Sequence, residues 1–174
     1  MQSGHISAVG FDLYTQLVAE AVGRLEGHEA AAEEVKEVRI ELPVDAHLPE
    51  RYVGDQEQRL EAYRRLALAT SQETVDDVLA EWEDRYGPPP DAARSLIDIA
   101  RLRVEALRVG INEVMKLKGE IRLAPVNLST SQEVRLQRLA PKAVLRGAEG
   151  VLFLPAPGEP VAGLLNFLAK MWPA

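Results

Sequence analysis

Between Glu83 and Asp91 the chain reads "EDRYGPPPD". Three consecutive prolines lack amide hydrogens and hold φ near −65°, so no helix interior or central strand passes through residues 88–90. Gly87, just ahead of them, is the residue type that most readily closes a helix in the left-handed conformation. Asp91, just after them, suits the positive end of a new helix. The stretch therefore ends one helix, starts another, and forces the chain around it to fold back.

Periodicity fills in both sides. "TSQETVDDVLAEWEDRYG" puts Val75, Val78, Leu79, Trp82 and Tyr86 on one stripe. Thr70 and Glu73 stand in the T-x-x-E spacing of a capping box. Before it, "DQEQRLEAYRRLALA" is a second helix with Asp55 as cap and Gln58 as its partner. "FDLYTQLVAEAVGRLEG" aligns Phe11, Tyr14, Leu17, Val18, Ala21 and Leu25 and closes at Gly27, and "HEAAAEEVKE" reads as an acidic, mobile connector. In "VRIELPV" the apolar residues alternate with Arg39 and Glu41, the period of a half-buried strand, and Pro43 places that strand at an edge or stops it early.

The helix from Asp91 runs to about Val109 and stops at Gly110, where the texture changes. "INEVMKLKGEIRLAPV" predicts two strands turning at Lys118–Glu120, and "STSQEVRLQRL" a helix capped by Ser129. "AVLRGAEGVLFLP" predicts a hairpin turned by Gly147 to Gly150, and "GEPVAGLLNFLAKMW" an amphipathic helix with Pro160 near its start. Strands and helices do not alternate as βαβ units, so the fold class is α+β. The expected architecture is amphipathic helices packed on a small, mainly antiparallel sheet, one compact domain over residues 10–174, and the change at Gly110 leaves open the alternative of subdomains 10–110 and 111–174.

Several function classes fall away. A net charge of −7 disfavours nonspecific nucleic-acid binding, which needs clustered Lys and Arg. No apolar run approaches the roughly 20 residues of a membrane span, and the N-terminus lacks the charged and apolar regions of a secretory signal, so a cytoplasmic location with no membrane partner is expected. With no cysteine there is no thiol chemistry. Phosphate-cradling glycine motifs and the G-x-S-x-G elbow are missing. His5, His28 and His47 lie at no metal-ligand spacing from one another, and Met115 and Met171 are spaced for packing. Asp45 and His47 form a D-x-H pair that reads as a solvated turn. No catalytic residue, cofactor or metal is expected.

Charge placement separates two neighbouring helices. After the prolines, Arg94, Asp98, Arg101, Glu105 and Arg108 alternate in sign along one face, three or four residues apart, and that face is expected to satisfy itself. On the preceding helix Glu73, Asp77, Glu81 and Asp84 fall within an arc of roughly 80° opposite the core stripe. Like charges there cost a few tenths of a kcal/mol each, and Asp84 also opposes the dipole at the helix end. Only Arg85 is placed to compensate, four residues after Glu81. The expectation is an exposed, uncompensated acidic patch suited to arginines on a partner.

Three segments in register, "QSGHISAVGFDLY", "LPERYVGDQEQRLEAYRRLA" and "DRYGPPPDAARSLIDIARLR", resemble the C-terminal region of bacterial transcription-repair coupling factors, over at least Gln2 to Arg103. The resemblance implies a piece of a longer protein. Gln2, Ser3 and Gly4 would end the translocation motif of a superfamily-2 motor, residues 1–9 would be its remnant and linker, and residues 10–174 the regulatory domain. The family couples ATP-driven DNA translocation to displacement of stalled RNA polymerase and recruits excision repair. Its C-terminal domain is not an enzyme. It packs against an N-terminal UvrB-like module and hides the surface that recruits UvrA. Glu81 and Asp84 match the family's E-x-x-D-R-[FY]-G segment, whose acids face arginines across that contact, with Asp77 and Arg85 beside them. Two other readings compete. Arg59, Arg64 and Arg65 with Lys116, Lys118 and Arg122 would serve a nucleic-acid-binding appendage, and Asp45 with His47 a small hydrolase.

Overall fold

The computed structural model describes residues 14–20 and 38–174. Its elements, in order, are helix α1, described over residues 14–20, β1 (Arg39–Glu41), α2 (Gln56–Ala67), α3 (Gln72–Tyr86), α4 (Asp91–Val109), β2 (Glu113–Leu117), β3 (Glu120–Ala124), α5 (Thr130–Leu139), β4 (Val144–Arg146), β5 (Val151–Pro155) and α6 (Pro160–Met171). The class is α+β. Two compact units share the chain, one with residues 44–104 and α1, the other with residues 38–43 and 105–174.

The first unit is helical. Asp55 caps α2 by accepting from the Gln58 amide. At α3 the cap falls one residue later than the T-x-x-E spacing predicts. Ser71 accepts from the Thr74 amide while Thr74 Oγ1 accepts from the Ser71 amide, which closes the capping box one position on. Serine and threonine hydroxyls reach these amides as readily as the Thr70–Glu73 pair would, so spacing alone does not choose between them. Gly87 ends α3 with φ +84° and ψ −172°, a positive φ open to glycine combined with the extended ψ that a residue before proline takes.

The core of this unit joins Tyr14, Leu17 and Val18 of α1, Tyr63 and Leu66 of α2, Val75, Val78 and Trp82 of α3, and Leu96, Ile97 and Ala100 of α4, all buried. Its polar groups are largely placed. The Leu48 amide donates to Tyr63 Oη at 2.8 Å, and Tyr52 Oη donates to the Gly87 carbonyl at 2.8 Å. Phe11, Ala21, Leu25 and the connector 28–37 lie outside the described residues.

The second unit is built on a five-stranded sheet in the order β1-β2-β3-β5-β4, antiparallel except for the β1–β2 pair. β1 is an edge strand and ends at Glu41, two residues before Pro43, shorter than the alternating run from Val38 to Val44. Register places Ile40, Val114, Leu123, Leu152 and Leu145 in one row across the sheet. The first four are buried, and α6 sinks Val161, Leu164, Leu168 and Met171. The neighbouring row on the other face, Glu41, Met115, Arg122, Phe153 and Val144, is more exposed. The β2–β3 turn uses Gly119 at φ +77°, and Ser129 caps α5 in a box with Gln132.

Candidate docking surface on the third helix

Helix α3 owes its orientation to its apolar stripe. With Val75, Val78 and Trp82 buried, the residues about 180° away face solvent. Glu73, Asp77 and Asp84 are exposed, and among the described residues none has an ion-pair or hydrogen-bond partner.

Glu81 differs from the expectation. Its carboxylate accepts from Arg65 of α2 through Oε2 and from Arg85 through Oε1 at 3.2 Å, so two guanidiniums of the same chain hold it. The patch is therefore compensated at Glu81 and free at Asp77 and Asp84. The physical reason is tertiary. The four residues 68–71 make α2 and α3 neighbours, and the basic last turn of α2 delivers Arg65 across the gap. Charge periodicity within one helix carries no information about a helix beside it. The short connection was the available signal.

The charged face of α4 also reaches outward. Arg101 pairs with Asp76 of α3 at 2.7 Å and Arg94 donates to the Pro89 carbonyl, so this face is not self-satisfied as expected. Glu105 and Arg108 pair as the spacing predicts, at 2.8 Å. Burial raises the pKa of Asp98, with Arg101 and Arg94 pulling it back.

Beside the Glu81 clamp runs an open groove between α2 and α3, lined by Glu61, Arg64, Arg65, Glu81, Trp82 and Tyr86 among others. Its rim mixes both signs. Tyr52 packs edge-on against Tyr86 with centroids 5.7 Å apart, and its phenol pKa is raised by burial and by nearby Glu83.

Among the described residues, all of the competing residues but Lys118 have contacts of their own. Arg59 donates to the Val53 carbonyl at 2.9 Å, Arg64 approaches Glu61 at 3.9 Å, and Arg65 is engaged by Glu81. In the second unit Arg122 pairs with Glu113, and Lys116 donates to the Leu117 carbonyl. His47 Nδ1 lies 2.9 Å from Asp45 Oδ1 and its amide donates to the Ala92 carbonyl, while Asp45 stays exposed, so the D-x-H pair sits on a solvated loop with its own hydrogen bond. Among the described residues no three His, Asp or Glu side chains gather as metal ligands. No described helix is long and apolar enough to cross a membrane. Gln2, Ser3 and Gly4 lie outside the described residues.

A helical unit joined to a small mixed sheet, with its charges concentrated on helix surfaces, defines a class of α+β domains that has a solved representative. The crystal structure of the C-terminal domain of transcription-repair coupling factor superposes with a TM-score of 0.67, covering 78% of this chain and 91% of that chain, at 20% sequence identity. The likeness is one of fold. Sequence supplies the rest. A family model described as the TRCF domain matches residues 42–137, and the chain belongs to that family. The transcription-repair-coupling factors of Mycobacterium bovis and Mycobacterium tuberculosis are each 45% identical over 166 residues, 90% of this chain and 14% of their own length. That of Staphylococcus aureus is 37% identical over 120 residues, 69% of this chain and 10% of the relative. The chain thus spans about a seventh of the length of the curated mycobacterial relatives, 14%.

Proposed function

We propose that the chain is the regulatory C-terminal domain of a transcription-repair coupling factor, with no catalytic activity of its own. In this reading it docks on the N-terminal UvrB-like module of the same protein and masks the surface that binds UvrA. The parent would be an ATP-dependent DNA translocase that displaces stalled RNA polymerase and recruits excision repair. Residues 10–174 form the domain, and Gln2, Ser3 and Gly4 end the motor's translocation motif.

One observation carries the reading. Among the described residues α3 holds Asp77 and Asp84 exposed and without partners, although an Asp at the helix C-terminus lowers local stability. Partner arginines desolvating those carboxylates would recover that cost through charge-assisted hydrogen bonds. Glu81 takes a different role from its neighbours. Already held by Arg65 and Arg85, it fixes two guanidiniums beside the free acids, so the surface presents both signs in a set geometry. A tether supplies an effective concentration near 1 mM, so an intrinsic Kd of about 10 μM closes the contact by roughly 100 to 1. Motor strain or polymerase engagement opens it by offsetting about 3 kcal/mol.

The test is Asp77→Arg with Asp84→Arg in the full-length parent. Neither side chain has an internal partner among the described residues, so folding is expected to be unchanged while ATPase activity and UvrA binding rise. Normal repression in the double variant overturns the docking role of this face.

A further inference from the structure

We propose that a second docking site, in the sheet-containing unit, accepts an acidic peptide that carries bulky apolar side chains. The site is the groove between the end of α5, the end of β5 and the outer stripe of α6, and it uses none of the α3 acids.

Its α6 wall follows from helical spacing. Val161, Leu164, Leu168 and Met171 turn inward, which leaves Gly163, Asn166, Phe167 and Lys170, at i, i+3, i+4 and i+7, facing the groove. The opposite wall is Leu139 and Ala140 at the end of α5, with Leu139 37% exposed. Leu154, Pro155 and Pro157 form the floor. Gly163 lets Pro157 lie flat on α6, because a Cβ there would come within 2.6 Å of the proline ring. Arg135 of α5 donates to the Met171 carbonyl at 2.8 Å, so the two helical walls are tied together and the groove is preformed.

Charge selects the occupant. Lys170 is the one charged residue among those lining the groove. Arg138 and Lys142 flank the Leu139–Ala140 wall in the chain, and none of the three is ion-paired among the described residues. The Ala156 amide donates to the Gly119 carbonyl, which brings the turn bearing Lys118 to the same end of the sheet. Glu120, opposite Pro155, and Glu159, at the start of α6, are the nearby acids. Over the whole unit ten Lys and Arg face seven Asp and Glu, although the chain carries −7 overall. An apolar trough with a basic rim takes leucine or phenylalanine side chains into the trough and glutamates against the rim. Nucleic acid fits it less well, since Phe167 is the only aromatic lining residue and already packs edge-on against Trp172.

The experiment is fluorescence anisotropy of the intact chain with a labelled amphipathic peptide, leucine and phenylalanine at helical spacing among glutamates. Saturable binding is expected, weakening as salt rises from about 50 to about 300 mM. Lys170→Glu and Leu139→Glu, both at exposed positions, are each expected to lower affinity about fivefold or more with unchanged circular dichroism. Three results overturn the proposal: no saturation up to about 1 mM peptide, equal binding of a peptide with serine in place of its apolar residues, or tighter binding of single-stranded DNA to the same site.

Discussion

Arg65, in the last turn of α2, donates to the carboxylate of Glu81 on α3, and Arg85 donates to the other oxygen of the same group. An acid that looks surplus along its own helix is thus the middle of a three-residue bridge. Side chains of Arg65 and Glu81 are 49% and 26% exposed, so water screens the pair. A double-mutant cycle with Arg65→Ala and Glu81→Ala is expected to give a coupling of about 0.5–1 kcal/mol in urea unfolding. The coupling shrinks in about 1 M salt. A value near zero in low salt would mean that the bridge is not formed in solution.

The caps discriminate Ser71 from Thr70. Ser71 Oγ accepts from the Thr74 amide, while Thr70 stands outside the box. Ser71→Ala should cost about 1 kcal/mol and Thr70→Ala less than about 0.5. Equilibrium denaturation of the two variants side by side checks the order.

Gly163→Ala sets helix propensity against sterics. Propensity alone favours alanine inside α6 by about 1 kcal/mol. Contact at 2.6 Å with Pro157 costs about 1–3 kcal/mol by overpacking. Net destabilisation of about 1 kcal/mol is expected, and a rise in thermal midpoint would show that the Pro157 segment yields.

Burial pushes the Tyr14 phenol up to about 12, with Arg103 drawing it part of the way back. In the unfolded chain the phenol ionises near its ordinary value of 10. From pH 10 to 12 the unfolded state therefore holds fewer protons than the folded state, and stability falls as pH rises. A rise of that size corresponds to roughly 3 kcal/mol. Tyr14→Phe should remove this share of the alkaline slope, measured as unfolding free energy against pH.

The amino-acid pattern carried most of the architecture. Gly87 with its prolines, the Ser129 cap, the turn expected at Lys118–Glu120 and the Gly147–Gly150 hairpin each sit where local rules put them, because each depends on residues close in the chain. The parallel partnership of β1 with β2 was not legible, since no local signal tells an edge strand which distant neighbour it joins. The same limit governed the site. Exposure of Asp77 and Asp84 followed from the Trp82 stripe, but the Arg65–Glu81 and Arg101–Asp76 pairs required knowing which helices lie side by side.

That distant strand constrains how the chain can be cut. Arg39–Glu41 precedes α2, α3 and most of α4, yet belongs with residues 105–174. A gene fragment opened at Glu105 would leave the outer backbone of β2 bare, a template for self-association and insoluble product. Stitching residues 38–43 ahead of Glu105 through a flexible spacer would restore the missing border and yield a tractable miniature for peptide-binding work.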